Sequence, residues 1–228
     1  MASYAEIIAG LSPAMKAGQA DRVALLKRVL AALNHPDLAY RIVHLAGTNG
    51  KGSTGQLLTQ LLRASGARVG HFASPALVDD REQIQLDDRP ISKAAFVATY
   101  DYIRRRLPAG IAPADLTVFE WWTLVALQYF ATAGAQWVVL EVGLGGEKDA
   151  TNAIAAPTLA VITHLALDHC KILGNRLEEI AAAKAGIIKP GSRAVVVAPE
   201  QDPRVLTVLK AAANRAGVPL VMAAERAT

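Results

Sequence analysis

Eight consecutive residues, Gly47-Thr48-Asn49-Gly50-Lys51-Gly52-Ser53-Thr54, combine glycines, a lysine and two hydroxyls directly after the apolar run 42–46. Small residues let backbone N–H groups converge on phosphate oxygens. A helix starting here adds the favourable end of its dipole. Lys51 supplies a point charge for the outer phosphates of ATP, and Ser53 or Thr54 can approach a Mg²⁺ ion. The Walker A spacing is not kept: Leu45 stands where that pattern has its first glycine, and the lysine is followed by Gly-Ser rather than Ser. A plain glycine turn with an exposed lysine would lack the strand before, the helix after and the hydroxyl pair.

Other reactive side chains fall at the ends of apolar runs, where open α/β sheets gather their ligands. Ser74 follows the run 68–73, Glu141 closes Trp-Val-Val-Leu-Glu, and Asp168 and His169 follow Leu-Ala-Val-Ile-Thr-His-Leu after a short loop. Oxygen donors suit Mg²⁺, and a histidine is a less usual ligand for it. Each has a plainer reading: Glu141 as the partner of a surface lysine, Ser74 before Pro75 as a turn residue, and His164 as a group of the core or behind the site. Thr117-Val118-Phe119-Glu120 fits a capping box, with Thr117 as N-cap and Glu120 at its third position.

These residues need a scaffold, and the periodicity supplies one. Helical spacing covers 21–33 (Asp21 as N-cap), 53–64, 92–107 (Ser92 as cap), 117–131, 176–185 and 203–216 (Asp202 as cap, Pro203 first). Short apolar runs at 42–46, 68–73, 137–142, 159–163, 194–197 and 218–222 read as strands. The polar stretch 79–90 reads as a loop or hairpin, and 143–152 as a second glycine-rich loop. Strands alternating with helices predict an α/β fold with a mainly parallel sheet flanked by helices.

Composition agrees. Of 228 residues, 52% are apolar, 19% charged and 5% aromatic, which suits an aliphatic core and excludes a disordered chain. The net charge of +4 is scattered, compatible with anionic small molecules. The one dense basic run, Arg104-Arg105-Arg106, reads as a solvated helix end, so no nucleic-acid partner is expected. Cys170 is the only cysteine, which excludes an internal disulfide. Neither a leader-like N-terminus nor an apolar run of about 18 residues is present, so the expectation is a cytoplasmic protein with no membrane partner.

Taken in order, GTNGKGST (47–54), SP (74–75), TVFE (117–120), EVGLGGEKDATN (141–152), LDHCKILG (167–174) and KAGIIKPG (184–191) resemble the folylpolyglutamate synthase/dihydrofolate synthase family of the Mur-ligase superfamily, from about Leu25 to Gly191. The resemblance implies a P-loop NTPase-like central domain. It also implies an ATP- and Mg²⁺-dependent ligase that adds L-glutamate to a folate or dihydropteroate carboxylate through an acyl phosphate. By position it gives residues 47–54 the ATP phosphates, Ser74, Glu141 and His169 the metal, and Lys51, Lys184 and His169 catalytic roles. Lys184 matches a lysine that becomes carbamylated; its plainer reading is a helix lysine near a C-terminus. Thr117, Val118, Phe119, Glu120, Lys148, Asp149 and Ala150 fall where the family contacts its pteroate.

Departures cluster toward the acceptor: Ala76 replaces a histidine, Glu82-Gln83-Ile84 replaces Glu-Arg-Ile with Arg81 displaced, and Glu147-Lys148 replaces Arg-Leu. The family continues into a C-terminal Rossmann-like domain. Residues 1–228 are therefore expected to be an N-terminal ATP-binding domain, truncated and lacking that second domain, poorly active alone, and monomeric. Two alternatives stand beside the folate ligase: a Mur-type ligase with another acceptor, and a shortened, non-catalytic nucleotide-binding paralogue.

Overall fold

The computed structural model describes residues 2–11 and 21–223. Helix α1 (Tyr4–Gly10) opens the chain, followed by α2 (Arg22–Ala32), β1 (Arg41–Ala46), α3 (Lys51–Ala64) and β2 (Val69–Phe72). A hairpin, β3 (Ile84–Leu86) and β4 (Arg89–Pro90), leads to α4 (Lys93–Arg104) and α5 (Val118–Thr132). Then come β5 (Trp137–Glu141), β6 (Leu159–Ile162), α6 (Cys170–Leu173), α7 (Leu177–Ala185), β7 (Ala194–Val197), α8 (Pro203–Ala216) and β8 (Leu220–Met222).

The eight strands form one sheet in the order β4-β3-β2-β5-β1-β6-β7-β8. Six strands are parallel; at the edge β3 runs antiparallel to β2, and β4 antiparallel to β3. β1 is central: Leu45 sits beside Glu141 of β5 on one side and Val161 of β6 on the other. The chain leaves β1 toward β2 and, after β5, crosses to β6 on β1's far side. That reversal opens a crevice at the carboxyl end of β1. Residues 42–46 are all buried, as expected of a strand covered on both faces.

Helices cover both faces. Gly70 of β2 leaves room for the ring of Phe130 on α5, while its neighbour His71 points the other way, against Gly55 of α3. One large apolar cluster joins α1, α2, α4 and α5 to the β2–β5 half, and a second joins α7 and α8 to β6 and β7. The four expected caps form: Asp21, Ser92, Thr117 and Asp202 each accept a backbone amide. Thr117 and Glu120 close a full capping box.

Three local readings change, and the hairpin expected within 79–90 is present. Helix α3 begins at Lys51 rather than 53, because Gly50 already turns the chain in the left-handed region (φ 80°). Strand β6 ends at Ile162, so His164 lies beyond it and is exposed, not a core group. The stretch 79–90 resolves into a 3₁₀ turn, Asp80–Gln83, and the hairpin. Finally, α1 adds a short helix started by a Ser3–Glu6 capping box.

Candidate active site

The loop between β1 and α3 is held before any ligand arrives. The amides of Thr48 and Asn49 donate to the His164 carbonyl at 3.0 and 3.2 Å, and Thr48 Oγ1 donates to the Ala166 carbonyl at 3.1 Å. Gly47 leaves no room for a side chain without a shift of Thr163, since a Cβ there would overlap Thr163 Oγ1. Helix α3 starts without a side-chain cap, and Gly52 and Ser53 are exposed. Its first amides are thus free to meet an anion.

Two lysines and one carboxylate surround this loop. Lys184 of α7 is 3% exposed, and its Nζ donates to the Gly47 carbonyl at 2.7 Å. Burial, and next the charge of Lys51, lower its pKa to about 8. Glu141, at the end of β5, is 4% exposed. Its Oε1 lies 3.9 Å from Lys51 Nζ, and its Oε2 is buried without a partner. Burial raises the Glu141 carboxyl to about 7, against the opposing pull of Lys51. The lysine paired with Glu141 is therefore the loop lysine itself rather than one on the surface.

Ser74 is half-buried just past β2. His169 caps α6 with its side chain half-exposed, and its Nε2 lies 3.5 Å from Asp168 Oδ2. No trio of His, Cys, Asp or Glu among the described residues is close enough to hold a metal. The orphaned Glu141 oxygen beside a helix N-terminus fits Mg²⁺, which takes few protein ligands and completes its shell with water and phosphate oxygens.

The residues expected on the acceptor side fall into two groups. Thr117, Val118 and Phe119 are partly exposed, Phe119 packs on Phe72 with centroids 5.9 Å apart, and Lys148 is exposed. The others are engaged within the protein. Arg22 Nε donates to Glu120 Oε1 at 2.7 Å, and Arg22 Nη2 to the Asp115 carbonyl at 2.7 Å. The Asp149 carboxylate accepts the amides of Leu144 and Thr151 at 2.8 and 2.9 Å, and Ala150 is buried. The Gly143–Lys148 loop is also tied to α7, Glu147 N donating to the Ala183 carbonyl at 2.8 Å, and Asn152 Nδ2 bridges the Glu147 carbonyl of the loop (3.0 Å) and the Gly186 carbonyl just past α7 (3.1 Å).

Sequence reading missed Arg22, His44 and Lys189. His44 was visible as an imidazole inside an apolar strand. Lys189 donates to the carbonyls of Asn152 and Ile154 at 2.8 and 2.6 Å. Arg22 gave no signal, because its partner lies 98 residues away.

A glycine loop between the central strand and a helix, at the crevice of a mainly parallel sheet, defines an α/β protein of the P-loop kind. The chain belongs to the Mur ligase middle domain family, whose model matches residues 45–225, and within it to the folylpolyglutamate synthase/dihydrofolate synthase branch. It is 38% identical over 208 residues to the dihydrofolate synthase/folylpolyglutamate synthase of Bacillus subtilis, covering 90% of this chain and 48% of that protein. With the folylpolyglutamate synthase of Lacticaseibacillus casei it shares 40% over 179 residues, covering 77% and 41%. A solved FPGS–AMPPCP–folate complex superposes with a TM-score of 0.85 at 36% identity, over 97% of this chain and 54% of the other. E. coli FolC in complex with DHPP and ADP gives 0.83 at 33%, over 97% and 51%. The chain thus spans about half the length of the curated relatives it matches. No helix among the described residues is long and apolar enough to cross a membrane.

Proposed function

We propose that this chain carries the ATP-binding part of a ligase that joins L-glutamate to the carboxylate of a folate or dihydropteroate. The observation that carries the reading is the pinned glycine loop with Lys51, Lys184 and Glu141 around it. Relatives solved with AMPPCP and folate, and with DHPP and ADP, support the choice of substrates.

In this reading residues 47–54 hold the ATP phosphates against the start of α3, with Lys51 on the outer phosphates. Glu141, with the Ser74 hydroxyl and His169, would hold Mg²⁺, which when bound neutralises the charge that builds on the transferred phosphoryl group. The acceptor carboxylate attacks the terminal phosphorus, ADP leaves, and the glutamate amine then displaces phosphate from the acyl phosphate to give the amide. Lys184, neutral in part because its pKa is lowered to about 8, can take up CO₂ as a carbamate. It would then present an anion beside Gly47 instead of a cation.

Thr117, Val118, Phe119 and Lys148 face the acceptor in this reading, while Glu120, Asp149 and Ala150 shape the wall behind them. We read the protein as monomeric and cytoplasmic, which gel filtration and cell fractionation test.

The decisive assay supplies MgATP, L-glutamate and either dihydropteroate or tetrahydrofolate to the polypeptide of the whole reading frame, and follows ADP and the amide product. Acceptor-dependent ADP release with both ligands is expected. MgATP binding without turnover on either folate would sink the folate reading.

A further inference from the structure

The innermost polar side chain of β1 is His44, which is 0% exposed. Its Nε2 lies 2.9 Å from Thr151 Oγ1. The Thr151 hydroxyl donates to Asp149 Oδ1, so its oxygen can only accept from the ring. The network therefore assigns the proton to Nε2. Asp149 in turn holds the amides of Gly143, Leu144 and Thr151. A continuous line of buried polar groups thus runs from the middle of the sheet to the glycine-rich loop after β5.

Such a line is costly to place in a core. Thr151 is 0% exposed, Asp149 6%, and His44 Nδ1 has no partner at all. An apolar side chain at 44 would remove that orphan atom but would leave the Thr151 oxygen unheld. Burial, and next the charge of Lys189, lower the His44 pKa to about 3. The ring stays neutral at working pH and acts as a fixed strut.

We infer that His44 is a positioning residue: through Thr151 it orients the Asp149 carboxylate, and so sets the shape of the 143–150 loop that the acceptor meets. This rests on the acceptor-side reading of that loop. His44 touches neither substrate in this account and acts only through Thr151 and Asp149.

Four variants test it: His44→Leu and Thr151→Val cut the line, while His44→Gln and Thr151→Ser keep a donor or hydroxyl. The first readout is hydrogen exchange at the Gly143 and Leu144 amides of the 228-residue chain. Both cutting variants should exchange there about 10-fold faster, the size expected when one buried hydrogen bond is lost, and the conservative pair should recover most of this. The second readout is affinity for tetrahydrofolate and dihydropteroate against affinity for MgATP. Acceptor binding should weaken about 10-fold while MgATP binding stays within about 2-fold.

Unchanged exchange at Gly143 and Leu144 in folded Thr151→Val would overturn the inference. So would equal losses for acceptor and nucleotide, which mark general destabilisation. If His44→Leu does not fold, Thr151→Val decides alone. Wild-type chain that binds neither folate counts against the acceptor reading, and the exchange result still decides the strut.

Discussion

Replacing Glu141 by glutamine should make the ligand-free protein more stable at neutral pH and less responsive to magnesium. The Glu141 carboxyl is raised from an ordinary 4.5 to about 7 by burial. Below 4.5 it is protonated in folded and unfolded chains alike and costs nothing. Between 4.5 and about 7 the unfolded chain ionises while the folded chain holds its proton, so stability falls as pH rises. Above about 7 the loss is complete. At 1.36 kcal/mol per pH unit, the gap amounts to on the order of 3 kcal/mol. Glutamine has the same shape and cannot ionise. Urea unfolding of both proteins without nucleotide, at about pH 5 and about pH 8, measures the effect. The wild type should lose about 2–3 kcal/mol more than the variant across that interval. Other titrating groups are common to both proteins and cancel, as does the fixed cost of the new amide. MgATP should restore the wild type at the higher pH more than it helps the variant. Parallel pH curves for the two proteins would show that Glu141 is not held in an unfavourable ionised state, and the metal reading of this carboxylate would lose its physical basis.

Three further outcomes follow from the same geometry. Gly47→Ala forces a Cβ into Thr163 and should cost about 1–3 kcal/mol and roughly tenfold in MgATP affinity, partly regained with Thr163→Ala; calorimetry showing native affinity would contradict the close approach. Arg22→Ala leaves the 5%-exposed Glu120 without its cation and should lower stability by about 3 kcal/mol, so a urea midpoint close to wild type would be unexpected. In bicarbonate near pH 8, carbamate trapped by alkylation should appear at Lys184 ahead of exposed lysines; an even spread over surface lysines would contradict the neutral amine assigned to it.

What could be read from the sequence was local. The loop 47–54, the caps Asp21, Ser92, Thr117 and Asp202, and the alternation of strands with helices each depend on residues a few positions apart. Their physics is visible without the fold. Contacts between distant segments were not visible. Nothing near Arg22 announces Glu120, and nothing near Lys184 announces the Gly47 carbonyl 137 residues away. His164 shows the opposite error. An imidazole next to an apolar run looked like a core group, yet the strand stops two residues earlier and only its backbone carbonyl serves the loop. The helix α1 could have been read from its Ser3–Glu6 box, but seven residues give too short a period to stand out. For Asp149, the family resemblance implies a place beside the substrate, and the structure adds hydrogen bonds that turn inward to the loop that carries it.

The anchoring of Thr48 and Asn49 on the His164 carbonyl bears on the thermodynamics of ligand capture. A glycine-rich loop that had to order around its ligand would spend binding energy on lost backbone entropy. Here that entropy is already surrendered when the sheet folds, because the loop forms a short bridge with the segment after β6. Nucleotide capture by this loop should therefore show a small heat-capacity change and little dependence of affinity on loop dynamics. Slow steps in any catalytic cycle would then lie with whatever closes over the loop, not with the loop itself.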